Sequence, residues 1–282
     1  MVTFVTKNKL ILWYDTGMKI GIFDSGVGGL LLLKSISKQL PQYDYLYLGD
    51  TKRVPYGGRS QETIYQFTLE AVEYLFQNDC KLIILACNTA STRALRRIQR
   101  EYLPKYYPDR RVLGVIVPTV ETAVQIGSSR IGVLATQATV SSNAIVEEFK
   151  KIKPNVKVYQ QAAPLLVPLI ENDGLQWAGP ILREYLKPLL KQKVEAIVLG
   201  CTHYPILKRG IRSVVGKGIQ IISQDDIVPA KLKSYLQKHP EIEKVLSRRK
   251  KIDLRVTDLT EHYEKLSQKW LGSKVKHKLV SL

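Results

Sequence analysis

The sequence predicts an α/β protein of two similar lobes whose parallel sheets face each other across a central cleft. Three observations predict it. Short aliphatic runs alternate with helix-like sequence along the whole chain, the pattern of βα units and parallel sheets. Two stretches read alike: KLIILACNTAS at residues 81–91 and EAIVLGCTHYP at 195–205. In each, an aliphatic strand ends in a small residue, a cysteine and a polar residue, placing Cys87 and Cys201, 114 positions apart, where α/β sheets hold their ligands. The offset recurs, since IGIFDS with Gly21 aligns with IGVLAT and Gly132 at 111, and Pro55 aligns with Pro168 at 113. Each match alone is weak. Three in the same order favour an ancient duplication.

The 282 residues suffice for two domains and a sizeable core, and 45% hydrophobic with 24% charged residues is a globular composition. We expect an N-terminal extension over residues 1–17, a first lobe over 18–117 and a second over 118–225. The segment 226–282 has no linker-like composition and is expected to return to the first lobe. In order, strands are predicted at 18–23, 43–48, 82–86, 112–117, 131–135, 156–160, 196–200 and 219–222. Helices are predicted at 30–39, from Ser60 onward with Ile64, Phe67, Ala71 and Leu75 inward, at 143–150 and at 177–191. Pro118 is expected to mark the passage between lobes.

The charge is unusual: 43 Lys+Arg against 25 Asp+Glu give +18, which raises attraction to nucleic acid or anionic surfaces without bearing on the fold. Residues 228–282 are basic, and Arg93, Arg96, Arg97 and Arg100 have the spacing of one helical stripe. A solvated outer face is the plainer reading of both. Three scattered cysteines form no disulfide framework and suit a reducing cytoplasm. No apolar run reaches the ~18 residues of a membrane span. The glycines of DSGVGG (24–29) miss the G-x-G-x-x-G spacing, so a nicotinamide site is not expected. Asp24 and Ser25 there read equally as helix caps or as ligand-facing groups.

The chemistry narrows by elimination. The cysteines are too far apart in sequence for a C-x-x-C redox pair. A Cys–His hydrolase from Cys87 and His203 leaves Cys201 without work. Metal binding lacks ligands beyond His203 near the motifs. Racemisation uses both thiols: one removes a proton from carbon while the other delivers one to the opposite face. Both cysteines precede helix-like sequence, whose N-terminal dipole would favour the thiolate. Ser25, Asn88, Thr89 and Thr202 are the candidate donors to a substrate carboxylate.

DSGVGG, PYG, ACNTAS, the proline-spaced PLLVPLIE and GCTHYP together resemble the glutamate racemases of the aspartate/glutamate racemase family, in colinear order from about Met18 to Asp226. The resemblance implies lobes of flavodoxin-like topology with Cys87 and Cys201 as the two bases. It implies Asp24 and His203 as assistants, Glu171 as a third, and Ser25, Pro55, Tyr56, Gly57, Asn88, Thr89, Thr136, Thr139 and Thr202 around the substrate. Cys201 would take the proton of L-glutamate and Cys87 that of the D-isomer. It further implies no pyridoxal phosphate or metal, supply of D-glutamate for peptidoglycan, a homodimer, and gyrase as a partner of some members. Ala163 stands where members often carry cysteine. Rival readings are an aspartate racemase, disfavoured by Cys-Thr-His in the second motif, an arylmalonate-type decarboxylase, which needs one thiol, and a basic protein that binds nucleic acid or gyrase. Cys80 receives no role.

Overall fold

The computed structural model describes residues 17–272 and 275–282, so the expected extension lies outside the described residues except for Gly17. Among the described residues, ten strands form two sheets. They are β1 (Lys19–Asp24), β2 (Tyr45–Gly49), β3 (Cys80–Leu85), β4 (Arg111–Gly114), β5 (Arg130–Ala135), β6 (Lys157–Ala162), β7 (Ala196–Gly200), β8 (Gln220–Ile222), β9 (Ile252–Val256) and β10 (His277–Leu279). One sheet has the order β10-β9-β2-β1-β3-β4 and the other β6-β5-β7-β8, with every pairing parallel. The aliphatic strands β2, β3 and β7 are buried along their full length, as parallel strands covered on both faces must be. Polar strands take the edges: β6 reads KVYQQA, and β10 is mostly exposed.

The second sheet repeats the core of the first. Order β2-β1-β3-β4 becomes β6-β5-β7-β8, and the register repeats with it. Gly21 pairs with Ile83 as Gly132 pairs with Ile197, so the strand ends that precede Cys87 and Cys201 are equivalent places. The proline match is looser. Pro55 precedes the single turn Tyr56–Gly58, whereas Pro168 lies inside the helix Leu166–Glu171. Strands β9 and β10, from the basic C-terminal segment, extend the first sheet beyond β2.

Two expected elements differ, and one helix was not expected. The fourth strand ends at Gly114, and the helix Ile116–Gln125 follows at once. Pro118 falls in its first turn, where a missing N–H costs no helical bond. The stretch TQATVSS is helical over Gln137–Ser142: Thr136 caps it by accepting from the Thr139 amide, and left-handed Asn143 separates it from Ala144–Ile152. Its Thr, Val and Ser residues are modest helix formers, which hides the element from propensity. The arginine stripe is also broken. Asn88–Arg93 and Leu95–Arg97 give way to a π segment, Ile98–Tyr102, because Pro104 has no N–H for the Arg100 carbonyl four residues back. Arg93, Arg96 and Arg97 are engaged rather than merely solvated. Arg93 donates to Gln61, Arg96 pairs with Glu148 at 2.7 Å, and Arg97 pairs with Glu62 and Glu101.

Candidate active site

The carboxyl ends of β1, β3, β5 and β7 supply the site, with the turns beyond them carrying its polar groups. Cys87 caps the helix Asn88–Arg93, its sulfur accepting from the Ala90 amide at 3.5 Å. Ser25, just past β1, lies 3.4 Å from the same sulfur. Cys201 follows β7 and sits 3.7 Å from His203 Nδ1, while His203 Nε2 lies 2.7 Å from Glu171 Oε1. Each thiol therefore has its own polar neighbourhood, and both are nearly closed to solvent, at 6% and 7% exposure.

Asp24 ties the halves together. Its Oδ2 accepts from the Gly26 amide at 3.0 Å and its Oδ1 from the Thr202 hydroxyl at 3.3 Å, so a first-sheet carboxylate is bonded to the turn that carries Cys201. A hydroxyl cluster adds a second tie: Thr89 lies 3.0 Å from Thr136 and 3.4 Å from Thr139. The Asn88 and Gln224 amides pair reciprocally, at 2.8 and 2.6 Å, which fixes the Asn88 side chain and leaves its second N–H as a donor. Gly57 backs onto Thr136. Tyr56 is buried, and its hydroxyl donates to Asp50 at 2.5 Å, making it a wall rather than a free donor. Pro55 is exposed on the loop before it. Among the described residues, no group of three or more His, Cys, Asp and Glu side chains is placed to hold a metal ion.

The surroundings of the cysteines differ from the sequence expectation, by electrostatics at Cys87 and by local geometry at Cys201. Burial pushes the Cys87 thiol up to about 12, the negative charges of Asp24 and of Cys201 add to the rise, and the bonds from Ser25 and Ala90 offset only part of it. A six-residue helix does not overcome that desolvation. Cys201 has no α-helix start beside it. A turn and the 3₁₀ segment Tyr204–Leu207 intervene before the helix Lys208–Val215, so its nearest aid is His203. Burial opposes a charged His203, yet its bonds to Cys201 and Glu171 prevail and raise it to about 10.

Asp24 is raised by burial, against the pull of His203 and the Gly26 and Gly29 amides. A carboxyl raised on folding contributes stability that is fully present below the unfolded value of about 3.8 and lost as pH rises through the folded value. At neutral pH less of that contribution remains than in acid. Asp24→Asn is expected to melt higher than wild type at pH 7, since Thr202 can reverse its hydroxyl and accept from the new amide, while kcat/KM falls on the order of a hundredfold. Thermal melts with steady-state kinetics check this, and a variant of lower stability and full activity contradicts it.

A model of the Asp/Glu/Hydantoin racemase family matches residues 29–228. The chain belongs to that family. It is 39% identical over 267 residues to the glutamate racemase of Aquifex aeolicus, covering 94% of this chain and 98% of that one. A glutamate racemase isoform of Bacillus anthracis superposes with a TM-score of 0.86 at 32% identity, over 95% and 98% of the two chains. The Francisella tularensis glutamate racemase, solved in complex with D-glutamate, does so with a TM-score of 0.85 at 32% identity, over 94% and 98%. Membership makes this chain an isomerase of the racemase type.

Sequence reasoning missed two contributors to this racemase site. Gln224 opens the helix Gln224–Lys238 at the end of β8, and the strand-end rule was the signal that could have found it. In the sequence Gly28 stands out only as one of the glycines of DSGVGG that turn the chain before a helix. It lies against Thr202 and His203, a contact between residues about 175 positions apart that no local pattern encodes.

Proposed function

We propose that the protein interconverts L- and D-glutamate by proton transfer between two thiols on opposite faces of the α carbon. The observation that carries this reading is the pair of buried cysteines at equivalent strand ends of a repeated sheet, each with its own polar neighbours. As a thiolate, Cys201 takes the α proton of L-glutamate: the C–H bond breaks, an S–H bond forms, and the carbon keeps the electron pair. The Cys87 thiol gives its proton to the opposite face, completing the D-isomer and leaving Cys87 as the thiolate. The reverse reaction exchanges the roles.

His203, held by Glu171, stabilises or accepts charge on the Cys201 side. Asp24 and Ser25 serve the Cys87 side, the serine by a hydrogen bond to sulfur. The high affinity of the Cys87 thiol for its proton suits a donor that is protonated before L-glutamate arrives. Backbone amides and the hydroxyls of Thr89, Thr136, Thr139 and Thr202 surround the substrate carboxylates. The thiols and their neighbours supply each proton transfer, so the reading assigns no step to pyridoxal phosphate or a metal. The relatives' names support glutamate over aspartate as substrate.

On this reading the enzyme works in the cytoplasm as a homodimer and supplies D-glutamate for peptidoglycan. Its positive surface adds only weak, salt-sensitive attraction to nucleic acid. No helix among the described residues is long and apolar enough to cross a membrane. The test follows the circular dichroism of pure L-glutamate with purified protein and no added pyridoxal phosphate. The signal is expected to decay to zero; a signal that stays constant with folded protein overturns the proposal.

A further inference from the structure

We propose that Trp270 is a positioning residue for the Cys201 half of the reaction, holding the His203 imidazole in the one orientation that serves both Cys201 and Glu171. The inference rests on the two-thiol reading above. Trp270 lies near the end of the helix Glu261–Leu271, in the segment whose sequence shows little motif content. Its indole meets the His203 ring edge to face, with centroids 5.6 Å apart and planes at 82°. Such a contact fixes ring tilt as well as position.

The imidazole is bounded elsewhere too. Gly28 lies so close that a Cβ there would stand 2.5 Å from His203 Nδ1 and 2.6 Å from Cε1. Glu171 holds Nε2. With those limits set, the indole removes the remaining freedom of the ring to swing away from Cys201. That freedom matters because the bond from Nδ1 to sulfur is already long, at 3.7 Å, and weakens steeply with misalignment.

The helix itself is anchored. Lys34 donates to the Trp270 carbonyl at 2.8 Å, a cation on the last turn of a helix. Lys269 pairs at 2.8 Å with Asp173, two residues beyond Glu171. One helix therefore braces the segments carrying both members of the His203–Glu171 pair. Trp270 is itself buried, at 7% exposure, so its ring is held by packing on its other sides. The Cys87 sulfur is bonded instead to Ser25 and the Ala90 amide, so the brace acts on one thiol of the two.

That asymmetry gives a readout that loss of packing alone would not produce. Trp270→Phe and Trp270→Leu are made in the full chain and assayed with α-deuterated L- and D-glutamate. Both directions lose kcat/KM together, as the shared equilibrium requires, on the order of ten- to a hundredfold for Leu and less for Phe, which keeps an aromatic edge. The slowed Cys201 transfer becomes more rate-limiting. The isotope effect on kcat/KM then rises for the enantiomer whose proton Cys201 takes, L-glutamate, and falls for D-glutamate. If the Leu variant does not fold, the Phe variant carries the test, with the same divergence at smaller amplitude. Isotope effects that stay at wild-type values, or move alike for both enantiomers, assign Trp270 to packing and overturn the proposal. Failure of the underlying reading is separate, because the wild type would then not racemise glutamate at all.

Discussion

Cys87→Ser and Cys201→Ser are each expected to lose racemisation on the order of a thousandfold or more, because a serine hydroxyl is far too weak an acid to furnish the base. Both sites should tolerate the exchange in the fold. The sulfurs make few directed bonds, and Ser25 and His203 can bond a hydroxyl as readily as a thiol. Each variant keeps one working base. With a glutamate analogue carrying a leaving group on the β carbon, that base removes the α proton and the leaving group departs with its electron pair, without the second thiol. Cys87→Ser should therefore process the L-analogue and Cys201→Ser the D-analogue. Identical activity of both variants on both analogues would contradict two opposed bases.

Gly28→Ala is expected to cut kcat/KM on the order of a hundredfold while altering stability little. The residue has right-handed helical angles and sits at the start of the helix Gly29–Gln39, so alanine fits the backbone there. Its methyl would stand 2.4 Å from Thr202 Oγ1 and 2.5 Å from His203 Nδ1. Something must move, and both neighbours belong to the Cys201 turn. Overpacking here costs about 1–3 kcal/mol, less where the two side chains can shift. Activity should thus fall much further than the melting temperature. Kinetics and thermal melts of the one variant decide it, and unchanged kcat/KM would mean that the turn accommodates the methyl without disturbing the chemistry.

The repeated sheet was legible because it is written locally. Strands ending in small residues place Cys87 and Cys201 by the same rule, and the register of β1 with β3 recurs in β5 with β7. The helix start at Ser60 likewise depends on residues three positions apart. What escaped the sequence is what burial and distant contacts decide. The Cys87 motif looks like a thiolate held by a helix N-terminus, yet desolvation, which no motif records, reverses the direction. Gln224 reaches Asn88 across 136 positions, and Trp270 meets His203 from the far end of the chain. Pro104 shows the converse: one residue readable in the sequence, with no N–H to give, accompanies the π segment Ile98–Tyr102 just before it.

The most direct test of the two-base account is racemisation of L-glutamate in deuterium oxide, followed by proton magnetic resonance and chiral separation at low conversion. The account predicts that the D-glutamate formed carries deuterium at the α carbon from the first turnovers, delivered by a solvent-exchanged Cys87 thiol, while the recovered L-glutamate keeps its proton. D-glutamate that retains the original proton, or L-glutamate that gains deuterium as fast as product forms, would mean that one base serves both faces.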